Sequence, residues 1–185
     1  MQRTRSNRRI ILKILPFVIL FLLVLFDQLT KLHFRNLHNS GNFTETVVIK
    51  DFFYFRYTFN SGAAWGFLAD KPWAQIFFKV LTGFALAVFF VILIFSFKKK
   101  ARFLTYGMVL VIGGTIGNFI DRLAFNGVSD FISLVFGKYN FPIFNLADVF
   151  LCVGAFVTIL YLLFIGEGAL FKRASRKNAD KNNKV

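Results

Sequence analysis

Residues 144–165 read FNLADVFLCVGAFVTILYLLFI, an apolar run with one acid, Asp148, close to its beginning. Its length matches the roughly 20 residues that a helix needs to cross the hydrocarbon core of a bilayer. Comparable apolar runs lie at about residues 10–34, 73–97 and 103–122. We therefore predict an all-α membrane protein with four transmembrane helices, the fourth covering about residues 144–166.

Composition and charge agree with a membrane protein. The chain is 56% hydrophobic, with 28 Phe, which is too apolar for a soluble domain. Its net charge of +14 comes from clusters of Lys and Arg residues before the first span, between the second and third spans, and after the fourth span. Because Lys and Arg accumulate on the cytoplasmic side of membrane spans, both termini are predicted to be cytoplasmic. Without a soluble module, we expect no nucleic-acid partner.

The segments between the spans complete the predicted organisation. Residues 1–171 form one integral membrane domain, and residues 172–185 form a basic cytoplasmic tail. In the outer connection 35–72, the stretch from Phe43 to Phe59 is rich in aromatic and β-branched residues, which predicts a small extracytoplasmic β-sheet. Residues 63–68 are predicted to form an interfacial half-helix. The first apolar run could be a removable signal, but its length and its DQLTK ending favour a permanent helix.

Two acids, Asp130 and Asp148, flank the entrance to the fourth span. Placing a carboxylate near the hydrocarbon of a bilayer costs free energy. Such a residue is therefore a candidate functional group. Two adjacent carboxylates share one proton; the ionised member can then accept a proton from water while the other protonates a leaving amine. This arrangement predicts an aspartic peptidase. Considered alone, Asp148 could instead belong to a helix cap with Asn145.

The end of the third span is the other polar region. Asn118 and Asp121 share a helical face, and Arg122 follows them. Asp121 and Arg122 could line a site or pair with polar neighbours for stability, and for Asp121 we favour the structural role. The four-residue spacing of Gly113 and Gly117 predicts close helix packing.

Three further features have mainly structural interpretations. Asp27 and Lys31 are four residues apart in the order that favours an ion pair, so we assign them to support of the scaffold. Asn60 could donate a hydrogen bond to substrate or form a turn. The single cysteine, Cys152, cannot form a disulfide within the chain and is expected to be a small buried apolar residue. No metal or organic cofactor is predicted.

Together these segments resemble the lipoprotein signal peptidases, the type II signal peptidases of bacteria. The resemblance rests on five motifs in order along four spans: Asp27-Gln28-Leu29-Thr30-Lys31, Asn60-Ser61-Gly62-Ala63-Ala64-Trp65-Gly66, Gly113-Gly114-Thr115-Ile116-Gly117-Asn118-Phe119-Ile120-Asp121-Arg122, Gly127-Val128-Ser129-Asp130-Phe131 and Phe144-Asn145-Leu146-Ala147-Asp148. Each motif is weak alone, and their combination is specific.

The resemblance implies a function and site roles. Asp130 and Asp148 match the catalytic aspartates, and the residues matching the substrate and inhibitor site are Asn60, Gly62, Asn118, Arg122 and Asn145. The family removes signal peptides from prolipoproteins before a diacylglyceryl-modified Cys and is inhibited by globomycin. It therefore implies a bacterial inner-membrane enzyme with an outward-facing site and membrane-lipid contacts, and we expect a monomer.

Two functions of other classes remain as alternatives. One is a small transporter or proton channel, and the other is a non-catalytic scaffold for lipoproteins. A transporter predicts polar residues throughout the depth of the bundle. The middle of the fourth span instead has only mildly polar members: Cys152, Thr158 and Tyr161.

Overall fold

The computed structural model describes residues 2–41, 43–62, 67–68 and 71–166, with side chains from residue 13 onward. Four helices in this part are long and apolar enough to cross a membrane, which confirms the predicted helical spans. The helices are α1 Gln2–Asn39, α2 Ala74–Lys98, α3 Arg102–Phe125 and α4 Leu146–Leu160, which a π-helical turn, Tyr161–Ile165, continues. Most of the expected half-helix (residues 63–66) and the basic tail (residues 172–185) lie outside the described residues.

The helix boundaries that bear on the site differ from the prediction at the end of α1 and the start of α4. α1 continues beyond residue 34 to Asn39, and its last turns pack on the sheet, where His38 stacks on Tyr57 at 4.5 Å. α4 begins at Leu146 because Asn145 is extended, with φ −128° and ψ −178°, and acts as the N-cap. The predicted capping arrangement is therefore confirmed.

α3 is the central helix of the bundle. Its Met108, Val109 and Ile112 are almost fully buried and form a core with Leu93 of α2. Its other faces contact α1 and α4. Many large apolar side chains of α1, α2 and α4 point outward, as expected for helices whose outer surface meets lipid rather than water.

Glycines bring α3 close to its neighbours. A Cβ on Gly114 would lie 2.8 Å from the backbone nitrogen of Leu151, so only hydrogen fits between α3 and α4 there. A Cβ on Gly113 would lie 3.2 Å from Leu23 of α1, and one on Gly117 would lie 3.0 Å from Ala147 of α4. The predicted close packing at Gly113 and Gly117 is confirmed.

A four-stranded antiparallel sheet lies at one end of the bundle, in the order β1-β2-β3-β4. β1 (Thr46–Ile49) and β2 (Phe53–Asn60) come from the first connection, as predicted. β3 (Val128–Phe136) and β4 (Tyr139–Asn140) come from the connection between α3 and α4, where no strand was predicted. The sheet is thus built from two connections separated by two helices.

Candidate active site

β3 positions Asp130 beside the end of β2. In the strand register Thr58 pairs with Asp130 and Asn60 with Val128. The Nδ2 group of Asn60 donates a hydrogen bond to Oδ2 of Asp130 at 3.1 Å. Asp130 is only 3% exposed, so its carboxyl group is almost fully withdrawn from solvent.

The start of α4 positions Asp148. Asn145 and Asp148 form a capping box, in which each side chain accepts a hydrogen bond from the backbone of the other, at 3.1 and 3.0 Å. The segment before this cap is fixed to β3, because Ile132 N donates to Phe144 O at 2.8 Å and Phe144 N donates to Ile132 O at 3.0 Å. The strand with one acid therefore holds the helix start with the other.

Two asparagines join the acids into one polar cluster. The Nδ2 group of Asn145 donates to Oδ1 of Asp130 at 2.6 Å and to Oδ1 of Asn118 at 3.1 Å. The Nδ2 group of Asn118 donates to Oδ1 of Asp148 at 2.7 Å. Hence the structure brings together the two acids that the sequence analysis paired, although eighteen positions separate them.

The surroundings of Asp130 change its acidity. Its pKa is raised from 3.8 to about 7, chiefly by burial and then by the negative charge of Asp148. Hydrogen bonds from Asn60 and Asn145 and the charge of Lys31 oppose this rise. A carboxyl group with a pKa near 7 can hold or release a proton at neutral pH.

Both acids line a cavity of about 630 Å³. Its polar end carries Asn60, Asn118 and Arg122, while the rest is mainly apolar and is formed by Val128, Leu134, Phe136, Phe141, Pro142, Ile143, Phe144, Val149, Cys152 and Val153. The expectation for Cys152 was wrong: it is exposed rather than buried, because this face of α4 forms the cavity wall. A long apolar chain and a polar backbone could both be accommodated.

Arg122 and Gly62 lie beside the two acids. The guanidinium of Arg122 donates to the Gly62 carbonyl at 3.3 Å and lies 5.4 Å from the ring of Phe78. Gly62 N donates to Oδ1 of Asn60 at 2.9 Å, which forms the turn that was considered for Asn60. Since Asn60 also contacts Asp130, its turn and site interpretations are compatible.

Asp27 and Lys31 form a buried ion pair behind the site, with Lys31 Nζ 2.9 Å from Oδ2 of Asp27. Their predicted pairing is confirmed. The same Nζ donates to Oδ1 of Asn118 at 2.8 Å, and Oδ1 of Asp27 accepts a hydrogen bond from Ala147 N at 2.9 Å. The pair therefore supports α3 and the first turn of α4.

Asp121 supports the strand. Its Oδ2 accepts a hydrogen bond from Ser129 N at 2.9 Å and lies 3.4 Å from Arg35 Nη2, which also donates to Ser129 Oγ at 2.8 Å. Arg35 and Ser129 were missed by the sequence analysis. The available signal was helical spacing, because Arg35 follows Lys31 by four residues, as Lys31 follows Asp27.

The comparisons with known proteins agree on one family. A family model described as signal peptidase (SPase) II matches residues 19–164. A lipoprotein signal peptidase of Bacillus pumilus (strain SAFR-032) is 40% identical over 152 residues, which cover 82% of this chain and 94% of the relative. One of Coxiella burnetii (strain Dugway 5J108-111) is 36% identical over 142 residues, covering 77% and 85%.

The fold is also shared with solved structures. A bacterial membrane enzyme determined by the in meso method at 1.9 Å has a TM-score of 0.65 and 33% identity, with 82% of this chain and 94% of that chain covered. Another, determined at 2.3 Å, has a TM-score of 0.66 and 34% identity, with 80% and 87% covered. The chain belongs to the signal peptidase II family.

Proposed function

We propose that this protein is an aspartic endopeptidase of the bacterial inner membrane that removes signal peptides from prolipoproteins. Cleavage occurs immediately before a diacylglyceryl-modified Cys, with Asp130 and Asp148 as the catalytic pair. The observation that carries the proposal is the convergence of these two acids, through Asn145 and Asn118, at the polar end of a largely apolar cavity. Family membership supports the substrate class.

The geometry supports different catalytic roles for the two acids. Asp130, with a pKa near 7, is the member that holds a proton; it donates a hydrogen bond to the scissile carbonyl and then transfers this proton to the leaving amine as the C–N bond breaks. Asp148 accepts the proton from the attacking water. Asn118 and Asn145 orient both carboxyl groups, so the reacting groups are arranged before substrate arrives.

The cavity fits a lipidated substrate. Acyl chains on the modified Cys would pack along the apolar wall that includes Val149 and Val153, while the peptide bond lies at the polar end. Arg122 and Asn60 are placed to hydrogen-bond the substrate backbone. Globomycin would compete for the same cavity.

The proposed orientation places the sheet and the two acids on the outer side, with both termini in the cytoplasm. The cluster Lys98, Lys99, Lys100 and Arg102 lies at the opposite end of α2 and α3 from the acids, which supports this topology. A monomer contains all the proposed site residues. Reporter fusions at the C-terminus and within β1–β2 test the orientation.

The decisive experiment is cleavage of a lipidated prolipoprotein peptide by the purified protein. Asp130→Asn and Asp148→Asn should each lower turnover by about 10²–10⁴-fold or more, because Asn keeps the volume of Asp but cannot transfer the proton. Asp51→Asn is the matched control, since Asp51 is exposed in the turn between β1 and β2. Near-normal turnover in either site variant would falsify the catalytic pair and favour a substrate-binding scaffold.

A further inference from the structure

A second cavity, of about 470 Å³, lies between α1 and the connection of α2 to α3. It is at the end of the bundle opposite to Asp130 and Asp148, so it is separate from the candidate active site. Its lining combines three cations, Lys13, Lys100 and Arg102, with aromatic rings. This combination is not explained by the proposed peptidase chemistry.

The three cations lack compensating charge in the described part of the chain. Lys13 belongs to α1, Lys100 to the connection and Arg102 to the first turn of α3. No salt bridge between described residues includes them, and none of the described acids lines the cavity. Three positive groups from separate elements around one cavity attract an anion.

The beginning of α3 adds to this attraction. Its N-cap, Ala101, has no side-chain acceptor for the first-turn N–H groups, and the first turn contains no acid. A helix N-terminus carries partial positive charge and suits a phosphate. Lys100, the residue before the N-cap Ala101, has a φ of 53°, a backbone conformation that Lys rarely adopts and Gly adopts freely. The chain therefore has a cation at a position with a strained backbone.

An apolar wall lies beside the cations. Phe17 of α1 and Phe97 of α2 are stacked, with ring centroids 5.7 Å apart and an interplanar angle of 18°. The phenol of Tyr106 also lines the cavity. A free inorganic anion has no apolar part that could contact this wall. A phospholipid, in contrast, has a charged phosphate attached to apolar chains.

We propose that this cavity binds one anionic phospholipid of the surrounding membrane. Its phosphate lies on Lys13, Lys100, Arg102 and the first turn of α3, and an acyl chain follows the Phe17–Phe97 pair. Basic pockets between transmembrane helices on the cytoplasmic side are a known physical solution for anionic headgroups. The site is independent of the proposed peptidase activity.

Native mass spectrometry of the purified full chain tests the proposal. The protein in non-ionic detergent is titrated with phosphatidylglycerol or with phosphatidylcholine of the same acyl chains. Wild type should retain one phosphatidylglycerol in preference to phosphatidylcholine. The variant K13Q/K100Q/R102Q should bind phosphatidylglycerol about 100-fold more weakly, at about fivefold per cation.

A matched control removes the same charge at the other end of the molecule. K50Q/K71Q/K138Q changes three exposed lysines outside the cavity and should bind as wild type does. K13R/K100R keeps the charge and should also bind. If the triple cavity variant does not fold, each single substitution should still weaken binding about fivefold.

Three results would overturn the proposal. Equal binding of the two lipids would show that the cations do not select a headgroup. An equal loss in the cavity and control triple variants would show that only net charge matters. Displacement of phosphatidylglycerol by millimolar inorganic phosphate would identify a free-anion site instead.

Discussion

Gly114 of α3 lies directly against the backbone of α4, and Gly114→Ala tests whether helix spacing controls the proposed site. An added Cβ would lie 2.8 Å from Leu151 N and closer still to the carbonyl oxygen of Ala147. These are backbone atoms, which cannot move aside by a change of rotamer. Ala147 directly precedes Asp148, so the displacement would reach the candidate catalytic pair.

The expected losses of stability and turnover in Gly114→Ala follow from these distances. Ordinary contacts of Cβ begin near 3.4 Å, so α4 must retreat by roughly 1 Å. Overpacking of this kind costs about 1–3 kcal/mol, while replacing Gly by Ala within a helix returns about 0.5–1 kcal/mol. We expect a net loss of about 1–2 kcal/mol in stability. Misplacement of a reacting group by 1 Å can lower turnover by about 10²-fold.

Two measurements check this prediction: unfolding in mixed micelles and cleavage of the lipidated peptide at saturating substrate. Gly83→Ala on α2 is the control, because its Cβ would meet only Phe119 Cζ, at 3.9 Å, an ordinary contact. It should keep activity and gain up to about 1 kcal/mol. If Gly114→Ala retained wild-type turnover and stability, the inferred coupling between helix spacing and the site would be wrong.

Further predictions concern the charges and the cap. The folded protein holds the proton of Asp130 up to about pH 7, whereas the unfolded chain releases it near 3.8, so this contribution to stability declines as pH rises between those values. Asp130→Asn should therefore raise Tm relative to wild type more at pH 8 than at pH 5; an equal difference at both would contradict the raised pKa. Lys31→Met leaves the buried Asp27 without its partner and should cost about 3–5 kcal/mol in mixed-micelle unfolding, while the exposed Lys50→Met should cost less than about 0.5 kcal/mol. Asn145→Ala should cost about 1–2 kcal/mol as a lost cap, yet lower cleavage by more than that stability loss explains, since it also removes one of the two side-chain hydrogen bonds to Asp130; unchanged cleavage would argue against an orienting role.

The helices were predictable because their signals are local. Bilayer-length apolar runs, the four-residue spacing of Asp27 and Lys31, and the cap signature of Asn145 with Asp148 each occupy a short part of the sequence. Every one of these features is present in the structure. The proximity of Asp130 to Asp148 was also predicted, but only from their positions at the ends of one connection.

β3 was missed because its signal is not local. Its first four residues are all buried, so VSDFISLVF lacks the alternation of a strand with one solvated face. Its partner, β2, lies about seventy positions earlier and beyond two membrane spans. The exposure of Cys152 was missed for a related reason: its face of α4 lines a cavity formed with β3 and the segment before α4.

The buried charges behind the site explain how both acid-bearing segments are held at the required separation. Each candidate catalytic acid is preceded by a residue whose backbone N–H is bound by a buried carboxylate: Ala147 N by Asp27 and Ser129 N by Asp121. Lys31 connects the two carboxylates, at 2.9 Å from Asp27 and 3.9 Å from Asp121. Burying these charges is costly, and apolar residues of similar size could fill the space at lower cost. An apolar side chain could not accept a hydrogen bond from either N–H group, so we interpret the buried charges as orienting the start of α4 and the start of β3 towards one another.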